Sequence, residues 1–131
     1  MTNLEVIQEL YRAFREKDYE GNAFLNICTP DLEWIQNEGF PQGRTYQGAE
    51  AVIAGVFKSN DERWEMFSFQ IDRCLDAGNY VVVIGAYVGR HRQTQKTLRA
   101  VAAHVYDLVD GKVRRFQMFA DTKTIWDSMV R

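Results

Sequence analysis

Asp121, His104 and Gln117 are the side chains in the second half of this chain whose types and spacing suit proton chemistry. An Asp110-Gly111 dipeptide between two apolar runs marks a β-hairpin over 98–121. With those two residues as the loop, Val109 faces Lys112 and the pairs count outward from there. One face then carries Ala100 opposite Asp121, Ala102 opposite Phe119, His104 opposite Gln117 and Tyr106 opposite Arg115. The other carries Val101 opposite Ala120, Ala103 opposite Met118, Val105 opposite Phe116, and an ion pair of Asp107 with Arg114. The alanines on the first face leave volume unfilled, so that face is expected to border a cavity.

Two readings of each candidate stand side by side. An aspartate desolvated in a closed pocket has its pKa raised and exchanges protons near neutrality, either with a C–H next to a carbonyl or with a leaving oxygen. Asp121 so placed is a catalytic acid/base; otherwise it caps a terminal helix near Thr124. His104 either protonates a developing enolate and orients a ligand carbonyl, or is a buried histidine bonded to Gln117 or Tyr106. On this map Asp121 lies four residues beyond Gln117, the partner of His104, or roughly 13 Å along the sheet at about 3.3 Å per residue. The two would flank a ligand without touching each other. A bulge ahead of Asp121 would turn it to the opposite face.

Trp34, Tyr46, Phe57 and Tyr87, with Gln117 and Phe119 from the hairpin, are the candidate substrate-binding wall, with packing in the core as the alternative for the aromatics. Tyr11 either turns its hydroxyl toward the sheet or packs. Arg90, Arg92, Lys96 and Arg99 form a basic cluster without interleaved aromatics, which suits a solvated hairpin end better than a nucleic-acid site, and His91 is expected to be exposed there. The sequence has no Walker loop, GxGxxG, GxSxG or HExxH, so nucleotide-dependent, serine-hydrolase and zinc-protease chemistry have no foothold.

The 131 residues fit one domain, and 46% hydrophobic with 26% charged residues is an ordinary globular balance. A net charge of -2 attracts neither nucleic acid nor an anionic membrane. The first residues show no basic region followed by an apolar core, and no apolar run approaches a membrane span, so a cytoplasmic location is the expectation. Cys28 and Cys74 are isolated from each other and from both histidines, which leaves no metal set and no redox pair.

The elements that must position these groups are legible from periodicity. Thr2-x-x-Glu5 is a capping box, after which Val6, Ile7, Leu10, Tyr11 and Phe14 recur at helical spacing. Asp18 is placed to cap a second helix carrying Phe24, Leu25, Ile27 and Cys28, and Pro30 blocks its continuation. A short strand over 32–36 and a Gly-, Pro- and Gln-rich loop precede a third helix over 49–57. The period then changes to two, with strands over 67–75 and 80–88, the hairpin, and a short closing helix over 124–130. Helices first and long strands afterwards make an α+β fold, with three N-terminal helices on a curved antiparallel sheet.

Pro30-Asp-Leu-Glu-Trp34, Thr45-Tyr-Gln-Gly-Ala-Glu-Ala-Val52, and His104-Val-Tyr-Asp-Leu-Val-Asp-Gly-Lys-Val113 running to Phe119-Ala-Asp-Thr122 resemble the nuclear transport factor two-like superfamily. Within it they are similar to the SnoaL-like and ketosteroid isomerase-like proteins, and the resemblance spans essentially the whole chain. It implies a cone-shaped fold enclosing a pocket, often in a homodimer formed through the outer sheet face. It implies no single reaction, because isomerases, cyclases, dehydratases, epoxide hydrolases and non-catalytic proteins share the fold. The general base of ketosteroid isomerases would fall at Gln36 and their oxyanion acid at Ala103, so that pair is missing. The arginine and second acid of limonene epoxide hydrolases would fall near Gly85 and Tyr87, while Asp121 matches their remaining acid and also the last-strand aspartate of SnoaL-like cyclases. The expectation is a protein that binds a small hydrophobic carbonyl or cyclic metabolite, with cofactor-independent proton transfer of isomerase, cyclase or dehydratase type through Asp121. A non-catalytic binding module and a dimeric scaffold are the alternatives.

Overall fold

A computed structural model describes residues 1–18 and 23–131. Helix α1 (Asn3–Arg15) opens with the expected capping box between Thr2 and Glu5 and buries Val6, Ile7, Leu10 and Tyr11. Helix α2 (Ala23–Ile27) is short; the first turn expected after Asp18, over 19–22, lies outside the described residues. Strand β1 (Cys28–Ile35) starts four residues earlier than its apolar alternation suggests. Pro30 is accommodated there because the ladder to the neighbouring strand is interrupted between Cys28 and Glu33, where no backbone donor is required.

After β2 (Thr45–Gln47), α3 (Ala49–Val52) runs through a π-helical turn (Ile53–Phe57) into α4 (Lys58–Arg63), so the third helix is longer than expected and broken in the middle. Gly55 lets this helix lie against Tyr46, whose ring carbon is 2.4 Å from where a Cβ would stand. Strands β3 (Trp64–Ala77), β4 (Tyr80–His91), β5 (Thr97–Val109) and β6 (Lys112–Ala120) follow, and α5 (Thr122–Met129) closes the chain. The sheet order is β2-β1-β6-β5-β4-β3. Every pair is antiparallel except β1 with β6, which is parallel, so the sheet is mixed rather than purely antiparallel. Among the described residues no helix is long and apolar enough to cross a membrane.

The hairpin turn is as expected: Asp110 and Gly111 both take positive φ, 52° and 76°, as a two-residue primed turn demands, and Val109 pairs with Lys112. Beyond Leu108–Val113 the register slips by one. Asp107 pairs with Arg115, His104 with Met118 and Ala103 with Phe119, leaving Arg114 as the extra residue. The bulge keeps both Arg114 and Arg115 in solvent while Val113, Phe116 and Met118 all turn inward. Arg114 still reaches Asp107 at 2.7 Å, the ion pair expected there.

The slip corrects one strand of the map and leaves the other intact. Ala100, Ala102, His104 and Tyr106 of β5 face inward as expected. On β6 the faces are exchanged: Phe116 and Met118 are buried, whereas Gln117 lies opposite Val105 on the outer face and Phe119 is 51% exposed.

Candidate functional site

Between the helices and the concave face of the sheet lies a cavity of about 180 Å³. Its walls are aromatic: Phe14 from α1, Trp34 from β1, Phe57 from the π turn, Phe67 and Phe69 from β3, and Phe116 from β6. Trp34 stacks on Phe116 at 3.9 Å between ring centroids and meets Phe14, Phe24 and Phe57 edge-on, so this wall is rigid. Arg15, Lys17, Asn60 and Asp61 form the polar rim, and Lys17 pairs with Asp61 at 2.9 Å.

His104 is the polar centre of the cavity. Its Nδ1 lies 2.5 Å from the Tyr11 hydroxyl and its Nε2 lies 2.7 Å from that of Tyr87, while the Tyr106 hydroxyl donates to Tyr11 at 2.8 Å. The ring lies 4.1 Å from that of Phe69, nearly parallel to it. Burial lowers the His104 pKa to about 3, so the imidazole is neutral at physiological pH. Burial also raises Tyr11, Tyr87 and Tyr106 well above the ordinary phenol value, so all three stay protonated.

A hydrogen count follows from those states. Three hydroxyls and one imidazole N–H bring four hydrogens to three contacts, which leaves one donor unused. With Tyr106 donating to Tyr11, the spare hydrogen belongs to Tyr87 if Tyr11 donates to Nδ1, and to Tyr11 if Nδ1–H donates to it. Tyr11 and Tyr87 both line the cavity, so either tautomer offers an O–H to a ligand.

Gln36 adds a second donor. It is 3% exposed, lines the cavity, and accepts from the Trp34 indole N–H at 3.0 Å. An indole nitrogen only donates, so the carboxamide oxygen must face it and the NH₂ must point the other way.

The expected site residues divide accordingly. His104, Trp34, Phe57 and Tyr87 line one cavity. Tyr46 does not: it is buried behind the third helix, donating to the Gln42 carbonyl at 2.7 Å. Gln117 and Phe119 are turned outward by the bulge. Asp121 is outside the cavity as well. It caps α5, accepting from the Thr124 backbone at 3.2 Å and the Thr124 hydroxyl at 2.6 Å, and these bonds lower its pKa rather than raise it. With Arg99, Val101 and Phe119 it lines a shallow depression on the outer sheet face. His91 is buried rather than exposed, edge-on to Trp64 and accepting from the Thr94 N–H at 3.3 Å.

Tyr11 and Gln36 line the cavity without having been among the expected site residues, although one of the two readings of Tyr11 turned its hydroxyl toward the sheet. Gln36 stood out only as a vacant general-base position, although the strand expected over 32–36 puts Trp34 and Gln36, two apart, on one face. Among the described residues no three His, Cys, Asp or Glu side chains converge as a metal site requires. Burial pushes the Cys28 thiol up to about 12, so it holds no thiolate at neutral pH.

The sequence model of the SnoaL-like domain matches residues 7–116. The chain belongs to that family. This SnoaL-like protein shares the nuclear transport factor two-like fold with solved structures along its whole length. An NTF2-like protein from Burkholderia thailandensis E264 is 30% identical, with a TM-score of 0.94 over 100% of this chain and 99% of the other. TerC, co-crystallised with polyporic acid, is 24% identical with a TM-score of 0.85 over 97% of each chain. A Catenulispora acidiphila protein of ketosteroid isomerase-like fold, in complex with trimethylamine, is 17% identical, with a TM-score of 0.80 over 95% of this chain and 91% of the other. No curated protein matches the sequence.

Proposed function

We propose that this SnoaL-like protein binds a small, largely apolar carbonyl or cyclic metabolite in the aromatic cavity and promotes cofactor-independent proton transfer on it, with the tyrosine–histidine chain in place of Asp121. The observation that carries this reading is the unused hydroxyl hydrogen of the Tyr11–His104–Tyr87 chain, held among aromatic walls. A preorganised donor in a dry site polarises a carbonyl and stabilises the charge that develops when a neighbouring C–H bond breaks. A volume of about 180 Å³ suits a molecule of one or two rings, given that an apolar cavity of about 150 Å³ accepts benzene. The co-crystal of TerC with polyporic acid supports a cyclic ligand for this fold.

A non-catalytic binding module is the second reading, favoured by the position of Asp61: the carboxylate bordering the cavity sits at its rim, engaged by Lys17. Deuterium exchange next to the carbonyl of a cyclic ketone such as 2-tetralone separates the two. Acceleration by the wild type, falling about 100-fold in whichever of Tyr87→Phe and Tyr11→Phe removes the spare hydroxyl hydrogen, is the expected result. Exchange at the buffer rate with the ketone bound would leave the binding module as the function.

We also propose a homodimer through the outer sheet face, where Val101, Phe119 and Leu75 are 58%, 51% and 44% exposed. Sedimentation at micromolar concentration should give a dimer, with Phe119→Glu shifted toward monomer. A wild-type monomer would refute it.

A further inference from the structure

Two hydrogen-bond donors that line the cavity have no partner among the described residues. The spare O–H of Tyr11 or Tyr87 is one such donor. The Gln36 NH₂ is the other, fixed by the Trp34 indole and bonded to no other described residue. Gln36 follows the Ile35–Gln117 pair of β1 with β6, and His104 pairs with Met118 of β6, so the two polar centres stand two strands apart, with the thioether of Met118 in between. At about 4.8 Å per strand that is roughly 10 Å between backbones, a span that side chains on the concave face narrow. Among the described residues of the rim, Lys17 is paired with Asp61 and Arg15 adds one further positive charge.

Buried donors without acceptors are satisfied by a ligand rich in oxygen lone pairs, and charged oxygen satisfies them best. We infer that Gln36 is the specificity-determining residue of this site and that the ligand is an acidic cyclic compound, a vinylogous acid or enol, bound as its anion with the ionised oxygen on the Gln36 NH₂. The inference rests on the cavity being the ligand site. It adds the ligand's charge and the group that reads it.

The assignment is tested by calorimetric titration with 2-hydroxy-1,4-naphthoquinone, an ionised vinylogous acid at neutral pH, against its 2-methoxy ether, which keeps both carbonyls and cannot ionise. The wild type should favour the hydroxyquinone about 10- to 100-fold, the range of one charge-assisted hydrogen bond. Gln36→Glu, which keeps an acceptor for the Trp34 indole and removes the NH₂, should lose that preference at pH values where the introduced carboxyl is ionised. Gln36→Leu should lose the preference without repulsion, separating the lost donor from an altered fold. Equal affinity of the wild type for both quinones, or retention of the preference in Gln36→Leu, would overturn the assignment and leave the pocket reading standing. Failure of both quinones to bind would overturn the assignment and the pocket reading together.

Discussion

Tyr11→Phe is expected to destabilise the fold by about 2–6 kcal/mol, although it removes a single oxygen atom. That oxygen is the junction of two buried hydrogen bonds, one received from Tyr106 and one shared with His104 Nδ1. Its loss strands two polar groups in a place water does not reach, and each stranded group costs about 1–3 kcal/mol. Tyr106→Phe is the control, because Tyr11 loses an incoming donor and keeps its bond to His104, so a cost of about 1 kcal/mol is expected. Urea denaturation of the two variants measures the difference directly. Equal, small effects would mean that the chain is not a connected network.

Acid lability is the second large effect. The folded His104 has its pKa lowered from 6.5 to about 3 by burial, so between those values the unfolded chain binds a proton that the folded chain does not. Stability is therefore whole above pH 6.5 and falls by about 1.4 kcal/mol per pH unit as the pH drops toward 3. His91 is shifted in the same direction by burial and by Arg63, and adds to the slope. The carboxylates with lowered pKa, Asp121, Glu5 and Glu9, act only at more acid pH, so the window from 6.5 to 5 isolates the histidines. His104→Gln should flatten the slope there by about 1.4 kcal/mol per unit, read from denaturation midpoints across that window. An unchanged slope would place the histidine's proton equilibrium outside the cavity's influence.

The parts of the site that were legible in sequence are those with an unbroken local period. Leu98, Ala100, Ala102, His104 and Tyr106 alternate strictly, and β5 presents them to the core as read. The helix cap at Thr2 and the Asp110-Gly111 turn are chemical signals confined to a few residues. Asp121 was misplaced because its face depends on every residue between it and the turn. In β6 the buried side chains fall at Val113, Phe116 and Met118, a step of three followed by a step of two. That irregular step, with Arg114-Arg115 inside it, was the available sign of the bulge, since strict alternation would have buried Arg115. The link from Tyr11 to His104 could not be read locally, because it depends on how α1 is rotated on the sheet, a matter of packing among residues far apart in sequence. Gln36 was legible as a face and not as a role: only its contact with the Trp34 indole decides which end of the amide meets the cavity.

The most direct test of the central claim is the nitrogen-15 NMR spectrum of the His104 imidazole during titration with a cyclic ketone. The cavity reading predicts a neutral ring whose Nδ1 and Nε2 shifts both move on binding, as the ligand oxygen takes the spare hydroxyl hydrogen and the chain from Tyr106 to Tyr87 readjusts. A ligand that binds while both nitrogen signals stay fixed would place the site elsewhere and contradict the account.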